Sequence, residues 1–591
     1  MTRNMEKETV AQKRNTRWFV MVCILIVFLQ YAMCIHYGLK RQYLFCDEVY
    51  SYGLANSNDK TFIHPGEDDE PFLHWVTGDY FTDYMNYGDE HFNFRAAYTN
   101  QEKDVHPPLY YMLLHIVCRF FPDAGYSTVP GLVLNFILLI FVDALLLYVA
   151  SYLLKNKRYG LMAAGLWALS SVGISNCMLI RMYLLQTLNV LLVTAAHVYI
   201  LKHKRKMTVP YFIMLAITVL FGGLTHYYFY FFVAGLGLCV CIYLMYMKQI
   251  KQMLAYGFSL ITGLLAAILV FPATIGHVFG YRGSYATHNL AGISEKKFIY
   301  YIKYVNRACF AGILPVLILA ATVLVFIYIL TRFVDLSIKT QRSGMELSYN
   351  VSVKRRDVSK EFSGILESRR ILFVSVCVAD FILAFVGIQG SELVNARYIY
   401  SSLAVFIIVL VWCVKKLVSV VTKKHIMTVT SILCIFLCVG SLMANGVDWQ
   451  YEDYKDKEPV IKEMRGQDCI IVCHGNDAWN NIYAGVNVFS QMGRCRYVYD
   501  EQLKDVLEYI KDCSDEVYVA FINDPKYEKG AIQNMLKRII KASKYEHFEL
   551  QYNYSPILVY SLTVDSLCTG NNFEQEIVGH EKGKPYNTMF Q

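Results

Sequence analysis

Charge is scarce in this chain: only 18% of its 591 residues are Asp, Glu, Lys or Arg, against about a quarter in a soluble domain. Its residues are 55% hydrophobic and gathered in long blocks, so an ordinary water-soluble enzyme is excluded and a polytopic membrane protein is indicated. Paired cysteine motifs are missing as well. The 17 cysteines include no CxxC and no Cys/His spacing of the zinc type, so a structural zinc site has no support. Cys239, Cys241, Cys434 and Cys438 lie inside apolar spans, where Cys behaves as a small hydrophobe. Cys469, Cys473, Cys495, Cys513 and Cys568 fall in the polar C-terminal part, where free and paired states stay open. No internal repeat is visible, which counts against transporters built from repeated halves. No small-residue cleavage site follows the first apolar block, so it reads as a retained helix rather than a signal peptide. The net charge of +8 does not announce a nucleic-acid partner, because Lys and Arg cluster in short loops between apolar blocks.

What is present is a series of spans. The first, residues 17–38, follows a basic polar tail, and ten more are predicted at 128–154, 159–177, 180–201, 208–224, 227–247, 254–279, 308–331, 371–389, 397–414 and 425–445. Each can cross a hydrocarbon core about 30 Å thick at 1.5 Å per residue. With the N-terminus in the cytoplasm, eleven spans put the C-terminus outside, across the cell (plasma) membrane. The predicted inner loops hold Lys155, Lys157 and Arg158, the run Lys202 to Lys206, Lys248 and Lys251, Lys354 to Arg356, and Lys415, Lys416, Lys423 and Lys424. The first outer loop carries thirteen acidic residues against three basic ones over residues 45–108. Both distributions satisfy the positive-inside rule.

The sequence divides into a membrane part, residues 1–445, with a large first outer loop at 39–108 and a polar, basic connector at 332–370 expected to be cytoplasmic and mobile, and an outer part, residues 446–591. In the outer part, strand-like runs (DCIIVC, EVYVAFI, SPILVYSL) alternate with helix-like ones (DEQLKDVLEYIKDC, AIQNMLKRIIKAS), predicting a small α/β domain. It has no Gly-rich phosphate loop and no obvious triad, so a structural or acceptor-docking role is expected there. The fold class expected overall is an α-helical polytopic membrane protein with a small extracytoplasmic α/β domain.

The first outer loop holds the chemistry. "QYLFCDEVYSYGLANS" places two carboxylates, Asp47 and Glu48, just beyond the first span. Loops beyond about 15 residues are usually functional or disordered. This one is rich in aromatics (Trp75, Tyr80, Phe81, Tyr84, Tyr87, Phe92, Phe94, Tyr98), which suits amphipathic helices at headgroup depth. It closes on "DVHPPLYYMLLH", where Pro107 and Pro108 interrupt one helix and can start another, fixing His106 at a helix entrance. Asp104 is expected to cap that turn. Asp47 is expected to cap the helix beginning at "DEVYSYGLANS", where the dipole favours its anion and makes it a weaker base. Arg181 with Tyr183 in "IRMYLL", His226 with Tyr227 in "THYYFYFF", Arg282 in "GYRGSY" and Arg397 in "NARYIYSS" lie at predicted outer span ends. An ionisable residue at such a depth is costly unless paired, and a lipid phosphate would pair it.

A carboxylate pair after the first span, DxHPPL before the second, and R-M-Y and T-H-Y-Y at outer span ends together resemble the GT-C superfamily of membrane glycosyltransferases. The likeness is to the protein O-mannosyltransferase and aminoarabinose transferase type, glycosyltransferase family 39. Motifs carry it over roughly residues 17–280 and hydropathy alone to 445. The resemblance implies a sugar donor on polyprenyl phosphate, an extracytoplasmic acceptor (glycan, lipid or protein), and an Asp in the first outer loop, here Asp47, as the catalytic residue with Glu48 beside it. Such a transfer needs a base for the acceptor and cations or donors where the departing phosphate gathers charge. His106, Arg181, Tyr183, His226, Tyr227, Arg282 and Arg397 are the donor-phosphate and substrate candidates. A divalent metal ion stays open as a cofactor, with Glu48, His106 and His226 as candidate ligands and Asp47 chemically suitable too. The main alternative is a polytopic transporter or lipid flippase; a membrane-anchored binding protein ranks below it, since eleven spans exceed what anchoring requires.

Overall fold

In a computed structural model, the chain is described over residues 2–58, 61–63, 74–86, 93–122, 125–203, 207–333, 335–337, 350–352, 368–391, 393–473, 478–499, 503–522, 530–554 and 556–564. It is an α-helical membrane protein with a small sheet at the C-terminal end. Among the described residues, eight helices are long and apolar enough to cross a membrane, and ten if two bent helix pairs each count as one span. Their lipid-facing side chains include Phe28, Leu269 and Met443 at 67%, 79% and 84% exposed. Such a belt would be an aggregation surface in water and is the expected outer face in lipid.

Ten of the eleven expected spans meet a long helix or a bent pair. The one expected at 208–224 is Val209–Gly223, a helix of only 15 residues. Three boundaries differ for local reasons. Residues 254–279 are not one helix: Ile250–Val270 stops before Pro272, and a separate helix covers Ala273–Phe279. Proline lacks an N–H and pushes the residue before it out of the helical region; Phe271 accordingly has φ −136° and ψ 81°. Near 308, the chain turns by 82° between Glu295–Phe310 and the next helix, through left-handed Ala311 (φ 54°) and Gly312 (φ 81°). Lys157–Leu169 and Ser171–Met178 meet at 53°. Of the connector, only two short strands, β2 (Asp335–Ser337) and β3 (Asn350–Ser352), and its helical ends are described.

The C-terminal sheet is mixed. β4 (Asp468–Cys473) lies between β5 (Arg494–Tyr499) and β6 (Glu516–Ile522), parallel to both. β6 pairs antiparallel with β8 (Ile557–Thr563), which pairs antiparallel with β7 (His547–Tyr554). The remaining edge is closed by β1 (Val76–Thr77), which comes from the first loop and runs antiparallel to β5. Strand alternation splits the apolar residues into two sets. Ile470, Val472, Val519 and Phe521 pack with Val506, Leu536 and Ile539 of the domain's own helices. Cys469, Ile471, Ala520 and Ile522 face the other way and merge with the membrane core. Burial on both faces explains why DCIIVC is a continuous apolar run.

This docking corrects one expectation about the first loop. Phe81 and Tyr84 do not lie at a lipid interface: both are fully buried, Phe81 against Phe489 and Tyr84 beside Tyr483. Tyr87 and Phe92 lie outside the described residues. The helix Cys46–Asn56 packs on Tyr84 through Gly53, where an added Cβ would fall 1.9 Å from the ring. That ring cannot swing away, because its hydroxyl donates to the Thr61 carbonyl at 2.9 Å. Gly53→Ala is therefore expected to cost about 1–3 kcal/mol by overpacking, read as a lower thermal midpoint of the purified chain. An unchanged midpoint would show that the helix does not rest on Tyr84.

Candidate active site

The site starts from a buried ion pair. Arg41, at the end of the first long helix, reaches Glu48 in the helix Cys46–Asn56, and both side chains are fully buried. Glu48 also accepts the N–H of Phe45 at 2.8 Å and of Ile180 at 2.7 Å. The N-terminal cap expected of Asp47 is thus made by Glu48, three residues beyond Phe45. Arg41 further donates to the carbonyl of Met178, at the end of Ser171–Met178. Asn135 completes that helix end, donating to the Cys177 and Leu179 carbonyls at 2.8 Å each. These bonds tie the first loop to the turn that carries Arg181.

Asp47 is one residue on from Cys46 and points elsewhere. Its carboxylate keeps 20% of its surface exposed and pairs with Arg397. Arg397 sits in the short turn Ala396–Ile399, held by the Asn395 side chain accepting its N–H at 3.1 Å, with its guanidinium 5.6 Å from the Phe45 ring and 5.0 Å from the Tyr398 ring. Arg181 is 6% exposed and donates to Ser51 Oγ at 3.3 Å and Tyr111 Oη at 3.2 Å. Among the described residues, Arg181 Nε and Arg397 Nε are buried with no hydrogen-bond partner.

The DVHPPL and THYY motifs meet on the same wall. The Leu109 N–H donates to the Leu224 carbonyl at 3.0 Å, fastening one turn to the other. His106 Nδ1 lies 2.9 Å from Asp104 Oδ2, and the His106 and His226 rings are 6.0 Å apart. His226 Nδ1 accepts the Tyr228 N–H at 3.1 Å, which puts the proton of the neutral ring on Nε2. Burial opposes the charge of Asp104, but His106 and then Arg181 outweigh it and hold that carboxyl below its usual range. For His226, burial first and then the neighbouring His106 and Arg181 depress the pKa well below 6.5.

Asp47, Asp104, His106, Arg181, Tyr183, His226, Tyr227 and Arg397 all line one chamber of about 1740 Å³. That exceeds the roughly 300–1,000 Å³ of a small-molecule pocket. Two expected residues do not join them on these terms. Glu48 is absent from the chamber wall and spends its carboxylate on Arg41 and two backbone N–H groups. Arg282 falls in the helix Tyr281–Ala291, but its side chain is outside the described residues. Glu48, His106 and His226 do not converge on a point, and among the described residues no group of three or more His, Cys, Asp or Glu could hold a metal ion. Tyr228 of the THYY motif joins the wall, and the chamber also recruits residues not anticipated from sequence: Tyr398, His277, Lys103, and Lys296, Lys303 and Arg307 on the helix Glu295–Phe310.

No family model matches the chain, and no curated protein matches it. Solved structures of similar shape include ArnT from Cupriavidus metallidurans in the apo state, at 11% identity and TM-score 0.41, covering 93% of this chain and 98% of that one. The same protein bound to undecaprenyl phosphate gives 11% and 0.41, over 93% and 99%. The oligosaccharyltransferase of Archaeoglobus fulgidus in the apo form gives 12% and 0.45, over 94% and 75%. Likenesses of that size fix neither the chemistry nor the substrates of this chain.

Two outcomes follow from the geometry. Arg41→Met leaves the Glu48 carboxylate buried and unpaired, and is expected to cost about 3–5 kcal/mol of stability. Arg41→Met with Glu48→Gln should cost less; equal losses in denaturant unfolding would show that the pair is not what fastens the loop. The second concerns pH. The unfolded chain takes up a proton at His226 below its usual pKa of 6.5, while the folded ring refuses it. Its contribution to stability is therefore full above that value and is lost as the pH falls. The thermal midpoint should drop between about pH 7.5 and 5.5, and His226→Gln should flatten that slope; a slope unchanged in the variant would refute the buried neutral imidazole.

Proposed function

We propose that this chain is an integral membrane glycosyltransferase of the GT-C type, which moves a sugar from a polyprenyl-phosphate donor to an extracytoplasmic acceptor, with Asp47 as general base. The observation that carries the reading is a partly exposed carboxylate, Asp47, sharing a chamber with two buried guanidinium groups, Arg181 and Arg397. On this reading the N-terminus is cytoplasmic and the sheet domain lies outside.

In the reaction, the acceptor O–H (or N–H) gives its proton to Asp47 as its heavy atom bonds to the anomeric carbon. The bond from that carbon to the phosphate oxygen breaks, and the electron pair leaves as polyprenyl phosphate. A single displacement inverts the anomeric centre, so one carboxylate suffices. Arg181 and Arg397 receive the growing phosphate charge. The Asp47–Arg397 pair quenches the base while the chamber is empty of donor. A phosphate competing for Arg397 would loosen it, so donor arrival readies the base. Glu48 takes a positioning part, holding the helix that aims Asp47. The isoprenoid tail would lie along the apolar wall of Val278, Leu290, Val386 and Leu393.

The test is consumption of a radiolabelled polyprenyl-phosphate sugar by the purified chain. Asp47→Asn is expected to lower turnover by about 10²–10⁴-fold while polyprenyl phosphate still binds. Full turnover in that variant, or no polyprenyl-phosphate binding by the parent chain, overturns the proposal. The second outcome would favour the main alternative, a transporter.

A further inference from the structure

The helix Glu295–Phe310 carries four basic residues and one acidic one (EKKFIYYIKYVNRACF), at the end of the molecule where the first loop is strongly acidic. Membrane proteins bias Lys and Arg toward the opposite, cytoplasmic end, so this concentration needs a cause. The helix is amphipathic. Tyr301, Tyr304, Ala308 and Cys309 are buried on one face, and Tyr304 donates to Asp448 at 2.8 Å. Lys297 is committed structurally, donating to the Ser391 and Gln389 carbonyls at 2.6 and 3.1 Å.

Lys296, Lys303 and Arg307 are different. All three line the chamber, and among the described residues none forms a salt bridge. Their spacings of seven and four residues put them within about 40° of one another around the helix, in a stripe about 16 Å long. Among the described residues, they make six cations around the chamber with Lys103, Arg181 and Arg397, against the carboxylates of Asp47 and Asp104. A sugar phosphodiester brings a single negative charge. A donor diphosphate would add one more, but its two phosphorus atoms are adjacent and cannot reach along such a stripe.

We infer that this stripe is a second, separate anion site that takes the acceptor, and that the acceptor is an extended polyanion: a glycan or polyol chain carrying phosphate or carboxylate groups at intervals. The inference deepens the glycosyl-transfer reading and rests on it. The stripe holds the polymer by several spaced contacts while one hydroxyl reaches Asp47, so binding is salt-sensitive and tolerant of register.

The experiment titrates the full-length chain in nanodiscs with four probes: a short poly(glycerol phosphate) oligomer, a neutral dextran oligomer of equal length, decaprenyl phosphate and decaprenyl diphosphate. The parent chain should prefer the polyanion to dextran, and added salt should weaken only the former. Lys303→Gln with Arg307→Gln should lose about tenfold in polyanion affinity and keep decaprenyl phosphate within about twofold, the latter also reporting an intact fold. Lys303→Arg with Arg307→Lys should retain both. Equal polyanion binding in parent and Gln variant, no polyanion binding at all, or a loss confined to the diphosphate lipid would overturn the inference. Loss of sugar turnover in Asp47→Asn is read separately, so the failure of either idea does not mimic the failure of the other.

Discussion

The Arg41–Glu48 pair is the constraint on which the arrangement depends. Taking two charges out of water costs several kcal/mol per ion, recovered only when the remaining polar atoms are also satisfied. Here they largely are: Glu48 collects two backbone N–H groups, and Arg41 reaches a carbonyl at a helix end. Because those backbone groups come from different segments, the pair fixes the exit of the first span, the helix after it and the turn before Arg181 relative to one another. Successive residues of a helix point about 100° apart. Once Glu48 is locked inward, Asp47 must look elsewhere, and that direction is the chamber. Two carboxylates adjacent in sequence thereby acquire opposite fates, one structural and one exposed to ligand.

The sheet domain is built into the same constraint. Residues 448–451, leading from the last membrane helix, bring Trp449 to 5.5 Å from Phe45 and Tyr451 to 5.8 Å from the Arg41 guanidinium. Trp449 and Tyr451 both take left-handed backbone (φ 68° and 49°), a conformation that costs a non-glycine residue about 1–2 kcal/mol. The surrounding contacts hold it there: Tyr43 packs among Tyr451, Tyr454 and Tyr554 and donates to the Ala484 carbonyl at 3.1 Å. With β1 lent to the sheet edge by the first loop, loop and domain are packed together rather than joined by a tether.

Much of this was legible, and the rest was hidden for physical reasons. Hydropathy is a local property, so the spans and the C-terminal strands DCIIVC and EVYVAFI could be read directly. The DVHPPL and IRMYLL motifs named residues that do line one chamber. Unreadable were features whose cause lies far along the chain. Glu48 looks as available as Asp47 until Arg41 and Ile180 are seen to consume it. Val76–Thr77 is a strand only because β5 offers an edge. The basic stripe is invisible to hydropathy, because its helix is amphipathic, ends at Phe310 and turns through Ala311 inside the apolar block that begins at 308.

These parts also settle how the chamber can hold opposite charges close together. Burial, and then His106 and Arg181 beside it, oppose the charge of His226. Asp104 lies against the His106 ring, and Asp47 pairs with Arg397. Among the described residues, Arg181 donates to two hydroxyls, Ser51 and Tyr111, and also feels the charge of Asp104. A guanidinium so placed, in a medium where charges interact several-fold more strongly than in water, favours the anion of Asp104 and the neutral ring of His226 at once.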